Sequence, residues 1–153
     1  MTEIRCATTV QASQAATFDT FCDFARAAEM IPAIQRIEML TPGPVGVGTR
    51  FRETRRMYGK EATEQMTVTV FDRPRHLELA ADSHGTDYRA RYAFKPEGSS
   101  TRVEMVFAAT PRTMMARIMN VVMGPMIRSS MQKMMQADMD GAKAYIERQK
   151  GGG

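Results

Sequence analysis

Glu53, Arg55 and Glu64 are the side chains of this chain best suited to acid–base or ligand-orienting chemistry. They fall in two stretches, residues 49–58 and 61–71, whose period-2 alternation predicts antiparallel strands turning at Gly59-Lys60. A two-residue loop there sets Arg55 opposite Glu64 and Glu53 opposite Met66. The same face carries Phe51, Met57, Val68 and Val70, so it is predicted to be the inner one. Charge on an inner face is costly to bury unless paired or wetted. One reading is a polar end to a cavity, where Arg55 and Glu64 hydrogen-bond the carbonyl, carboxylate or phenol of a ligand. The plainer one is an ion pair at the sheet rim that only fixes register. Glu53 and Glu64 would serve as general acid and base only if their pKa values were separated. Arg55 between them tends to keep both ionised.

Other chemistries find little support. His76 lies beside a turn and His84 within one, where histidines are mostly solvated. No spacing matches two histidines plus a carboxylate or a Cys/His zinc set, so no metal is expected. The loop from Gly43 to Gly48 has neither phosphate-cradling glycine pattern. No cofactor is implied. The net charge of +4 comes from 21 basic and 17 acidic residues dispersed along the chain. Arg50, Arg52, Arg55, Arg56 and Lys60 are interleaved with Glu53, Glu61 and Glu64, which argues against a one-signed nucleic-acid surface.

These residues need elements to position them. Residues 4–10 alternate as a strand. Ser13 is placed to cap a helix carrying Phe18, Phe21, Cys22 and Ala25, which fades near Met30 before Pro32. A second strand covers residues 34–40. The 49–58 and 61–71 pair follows, then strands at 76–82, 88–95 and 101–109 with turn residues between them. Everything after Pro111 reads as helix, with Thr110 as its cap and Gly124-Pro125 expected to kink or break it. The apolar stripe resumes at Ile127, Met131, Met134, Met135, Met139, Ala142 and Ile146. The order is strand, two short helices, six strands and a long helix. That helix alone is long enough to cover the apolar face of a curved seven-stranded antiparallel sheet.

Nine of the 15 methionines lie between Met114 and Met139. Methionine suits irregular cavities and adaptable surfaces. Met114, Met115, Met119, Met123 and Met126 nearly encircle the first half of the helix and cannot all face one sheet. The excess is expected to line a portal, a homodimer contact or a peripheral membrane contact near Arg112, Arg117 and Arg128.

The 153 residues suit one domain over residues 1–150, with a disordered glycine tail at 151–153. Two cysteines, Cys6 and Cys22, allow no disulfide framework. The start lacks the apolar stretch of a signal peptide, and no apolar run reaches the length of a membrane span. A cytoplasmic protein is expected.

Three stretches resemble the SRPBCC superfamily, the START-like, helix-grip group that includes the major birch pollen allergen and polyketide cyclase/dehydrase-like proteins. They are Gly46-Val47-Gly48-Thr49-Arg50-Phe51, Phe71-Asp72-Arg73-Pro74-Arg75-His76-Leu77 and Asp138-Met139-Asp140-Gly141-Ala142-Lys143-Ala144-Tyr145-Ile146-Glu147. The resemblance implies an α+β helix-grip fold with a cavity between sheet and terminal helix for a hydrophobic or amphipathic small molecule. It supplies no shared catalytic residue. The expected apolar walls are Phe51, Met57, Met66, Tyr88, Tyr92, Met105 and Phe107. Met131 and Met135 contribute from the helix, and Arg55, Glu53 and Glu64 orient the ligand's polar end. A polyketide-cyclase-like reaction is the alternative, with Glu53, Arg55 or Glu64 assisting enolisation or dehydration. A third reading is an interaction module acting through the Met-rich helix.

Overall fold

The computed structural model describes residues 2–57 and 59–152, with side chains described up to Gln149. Seven strands form one antiparallel sheet: β1 (Thr2–Val10), β2 (Ile34–Met39), β3 (Arg50–Met57), β4 (Lys60–Asp72), β5 (His76–Ser83), β6 (Thr86–Glu97) and β7 (Ser100–Pro111). Their order is β1-β7-β6-β5-β4-β3-β2, so β2 to β7 form a meander and β1 pairs with the last strand. Between β1 and β2 lie α1 (Gln14–Phe21), a single 3-10 turn (Phe24–Arg26) and α2 (Ala27–Met30). The long helix α3 (Met114–Gly152) closes the chain. This is the α+β helix-grip architecture expected from the order of elements.

Local chemistry accounts for the boundaries. The Ser13 side chain caps α1 by accepting from the Ala16 amide, and extended backbone before Pro32 ends α2. Pro111 is not the start of the last helix. It ends β7, opposite Thr86, and the Thr113 hydroxyl caps α3 instead of Thr110 by accepting from the Ala116 amide. Nor does Gly124-Pro125 break the helix, which is continuous from Met114 to Gly152. That span includes the first two of the glycines expected to form a tail, and Gly153 lies outside the described residues.

The core sits between the sheet, α1 and the carboxyl-terminal half of α3, around Phe18, Leu77, Phe94, Val103, Met135, Met139 and Ile146. Phe18 packs edge-on against Phe71 and Phe94 at 5.3 and 5.1 Å between ring centres. Gly141 lets α3 press against the end of α2, since a Cβ there would meet the Met30 carbonyl oxygen at 2.7 Å.

α3 also runs parallel to the free edge of β1. Gln132 and Gln136 donate to the carbonyls of Arg5 and Ala7, and Lys143 to that of Thr9. Glu147 accepts from the Gln11 amide just beyond the strand.

Candidate ligand site

The two strands that carry the predicted charges pair two residues out of the expected register. Met57 pairs with Lys60, so Glu53 faces Glu64, Arg55 faces Ala62 and Phe51 faces Met66. Gly59, at φ +77°, is therefore the second residue of the connection, the place glycine holds in an Asn-Gly type of hairpin. A shift of two preserves side-chain parity, so Glu53, Arg55, Glu64 and Met66 remain on the inner face. Val70 does not. A bulge between Val68 and Val70 turns Val70 to the outer face, opposite Glu78, and brings Phe71 inward.

Arg55 is the centre of the site. Its Nη2 donates to Asp138 Oδ2 of α3 at 2.9 Å, and its Nε and Nη2 donate to the two carboxylate oxygens of Glu53, both at 3.3 Å. The Arg55, Glu53 and Asp138 side chains keep 12%, 14% and 21% of their surface, so the cluster is largely withdrawn from water yet reachable. Burial pushes the Asp138 carboxyl above its ordinary value, against the pull of Arg55, and neighbouring Glu53 adds to the rise. Burial alone would lower the Arg55 pKa, but Glu53 and Asp138 together hold it above its usual range. The Tyr92 phenol is driven up foremost by burial, with Asp138 and Glu53 adding, so it stays protonated as a donor.

The expected Arg55–Glu64 pair does not form. Glu64 Oε1 instead accepts from Ser83 Oγ at 3.0 Å. Beside it, Tyr88 stacks on Phe107 with ring centres 5.6 Å apart. Burial raises the Tyr88 pKa, the Thr86 hydrogen bond opposes that, and Glu64 adds to the rise.

The remaining predicted residues divide between the core and a partly open inner face. Phe51, Met105 and Met135 are buried, Phe51 stacked on Phe24 at 4.4 Å. Met57, Met66, Tyr88, Tyr92, Phe107 and Met131 are half-buried. These half-buried side chains leave part of the inner face open to solvent, with the charge cluster among them. A concavity of about 410 Å³ lies about Gln65, Thr67 and Arg89, and one of about 240 Å³ about Arg5, Arg102 and Gln136, where Met105 is the one predicted wall residue in its lining. Sequence reasoning missed Asp138. Its signal was an acid three residues after Met135 and four before Ala142, on a stripe otherwise apolar.

Other reactive side chains stay apart from this cluster. His76 faces Asp72 at an exposed turn, and His84 occupies a tight turn at φ 51°. Burial drives the Cys22 thiol up to about 12 and raises that of Cys6 as well, which removes both as thiolate nucleophiles. Among the described residues no group of three or more His, Cys, Asp or Glu side chains is placed to hold a metal ion.

A curved sheet packed on a long carboxyl-terminal helix has counterparts among known proteins. The family described as polyketide cyclase/dehydrase and lipid transport matches residues 1–147. The chain belongs to this family. In structure it is similar to TTHA0849 from Thermus thermophilus, at 16% identity and a TM-score of 0.81 over 96% of this chain and 98% of that one. A START superfamily protein from Mycobacterium smegmatis superposes with a TM-score of 0.79 at 15% identity, covering 95% and 97% of the two chains. The Zhui aromatase/cyclase from Streptomyces sp. R1128 does so with a TM-score of 0.78 at 14% identity, covering 96% and 94%. Identities this low establish a shared fold. No curated protein matches in sequence.

Proposed function

We propose that this polyketide cyclase/dehydrase and lipid-transport family member binds a hydrophobic or amphipathic small molecule, without covalent chemistry, between the inner face of the sheet and α3. The observation that carries the reading is the Arg55–Glu53–Asp138 cluster, mostly buried at a sheet face that also carries half-buried Met57, Met66, Tyr92 and Phe107. Apolar walls with a few convergent polar groups are what a small-molecule site requires. Two carboxylates already engage Arg55, so the polar end of the ligand is one that donates hydrogen bonds, such as a hydroxyl or phenol. The family description and the fold agree with this reading. Two buried free thiols suit a reducing, cytoplasmic setting.

Native mass spectrometry of the freshly purified protein, beside a denaturing run, tests the proposal. The expected result is a reproducible extra mass that disappears on denaturation and is lost or reduced in Arg55→Met. An apo mass that persists after incubation with a panel of phenolic and hydroxylated lipophiles would count against it.

A second reading is a cyclase-like turnover. It is favoured by the raised Asp138 carboxyl beside Arg55 and the protonated Tyr92, a set able to move a proton while an enolate forms. Asp138→Asn should then slow conversion of polyketone substrates by at least about tenfold. Equal rates in the variant and the parent would remove this reading.

A further inference from the structure

The amino-terminal half of α3 is built the reverse of an ordinary surface helix. Its residues nearest the body are small or polar: Ala116, Asn120 and Gly124 are half-buried, and Asn120 accepts from the Thr2 hydroxyl at 3.2 Å. Most of the large apolar side chains point away, with Met123 and Ile127 at the margin of this strip at 38% exposure. Met114, Met115, Ile118, Met119, Val121, Val122, Met123, Met126 and Ile127 are all exposed, Val121 and Val122 at 79% and 72%. At about 100° per residue they sweep roughly 240° of the helix circumference. A contiguous apolar surface of this kind marks a binding face.

Charge identifies what it binds. No Asp or Glu occurs between Glu104 and Asp138, while Arg112, Arg117, Arg128 and Lys133 fall in that interval. Arg112 is engaged by Asp82 and Asp87. Arg117, Arg128 and Lys133 are exposed, and no ion pair is formed by any of them among the described residues. A second copy of the chain would bring two such acid-free, basic segments together, like charge against like. An anionic lipid surface offers both an apolar layer and a complementary charge. Residues 114–127 extend only roughly 21 Å, short of the hydrocarbon thickness, so they lie along a bilayer and do not cross it. Nor is any helix of the described residues long and apolar enough to cross.

We infer that residues 114–127 of α3 dock the protein on anionic bilayers, the apolar arc seated among the acyl chains and Arg117, Arg128 and Lys133 set against lipid phosphates. This inference is independent of what the inner face of the sheet binds. Flotation with vesicles of phosphatidylcholine, alone or mixed with phosphatidylglycerol, tests it. Three basic side chains near an anionic surface give on the order of 100-fold preference for the mixed vesicles. Val121→Glu with Val122→Glu should abolish flotation, and Arg117→Gln with Arg128→Gln should cut the preference roughly tenfold or more. All four positions are exposed, so circular dichroism should show both variants folded. No flotation with mixed vesicles, or flotation indifferent to the valine changes, overturns the inference. So does a dimer by light scattering that the valine changes dissociate while vesicles stay unbound, since a second copy would then cover the face.

Discussion

The two sides of the sheet each hold a cluster of arginine and carboxylate, built with opposite proportions. Inside, one arginine, Arg55, faces two carboxylates, Glu53 and Asp138. Outside, one carboxylate, Glu78, faces two arginines. It accepts from Thr69 Oγ1 at 2.7 Å, Arg89 Nη1 at 3.2 Å and Arg91 Nε at 2.6 Å. Burial is the largest influence on both acids, yet the outcomes differ. The hydrogen bonds of Thr69, Arg91 and Arg89 together overcome burial and hold Glu78 below its ordinary value. Arg55, shared between two acids, does not overcome it for Asp138. The outer cluster is satisfied and structural, whereas the inner one retains surplus negative charge and proton affinity. That excess is what the proposed ligand would use.

Breaking each centre should separate them most clearly. Arg55→Met leaves two largely buried carboxylates facing each other without a cation, and should lower unfolding free energy by about 3 kcal/mol at neutral pH, read by urea denaturation. Glu78→Gln keeps the shape and part of the hydrogen bonding while its arginine partners stay half in water. A loss of about 1.5 kcal/mol is expected in the same assay.

Acid titration sharpens the contrast further. Glu78, with a lowered folded pKa, contributes stability that is present above its ordinary value of 4.5 and lost as pH falls through the folded one. Asp138 does the opposite. Its contribution is complete below the ordinary 3.8 and declines as pH rises through the raised folded value. Denaturation at a series of pH values should therefore show the cost of Glu78→Gln growing as pH rises, and that of Asp138→Asn shrinking. Parallel curves for the two variants would erase the distinction. The smallest effect belongs to the same ion types out in water. Arg73 grips Asp19 with two hydrogen bonds of 2.7 and 2.8 Å, both side chains about half exposed. Asp19→Asn should cost less than about 1 kcal/mol, an amount that added salt diminishes.

Much of this was legible in the sequence because period-2 alternation survives errors of detail. The meander, Ser13 as a cap and the inward set of Glu53, Arg55 and Glu64 all follow from side-chain parity and turn residues. What alternation leaves open is which pair faces which. Placing Gly59 first in the turn instead of second moves every partner by two, so Arg55 is matched to Glu64 when its ions are Glu53 and Asp138. The bulge that expels Val70 has no signature in Val68-Thr69-Val70-Phe71, where plain alternation carries Val70 inward with Val68. Asp138 was hidden differently, since its partner is remote in sequence and an acid on an apolar stripe reads as an interruption. The exposed methionines were readable as too many for one face, but only the fold shows that Met114, Met115, Met119 and Met126 point away from the body.

The ladder from α3 to β1 also bears on solubility. An open sheet has two edges, and each can recruit a strand from another molecule and start a fibre. Here Gln132, Gln136 and Lys143 occupy the outward carbonyls of Arg5, Ala7 and Thr9, so the long edge cannot accept a newcomer. The opposite edge is β2, six residues long and irregular between Ile34 and Arg36. A chain with nine bare apolar side chains on one helix is thereby denied the backbone template on which such stickiness would otherwise propagate into aggregates.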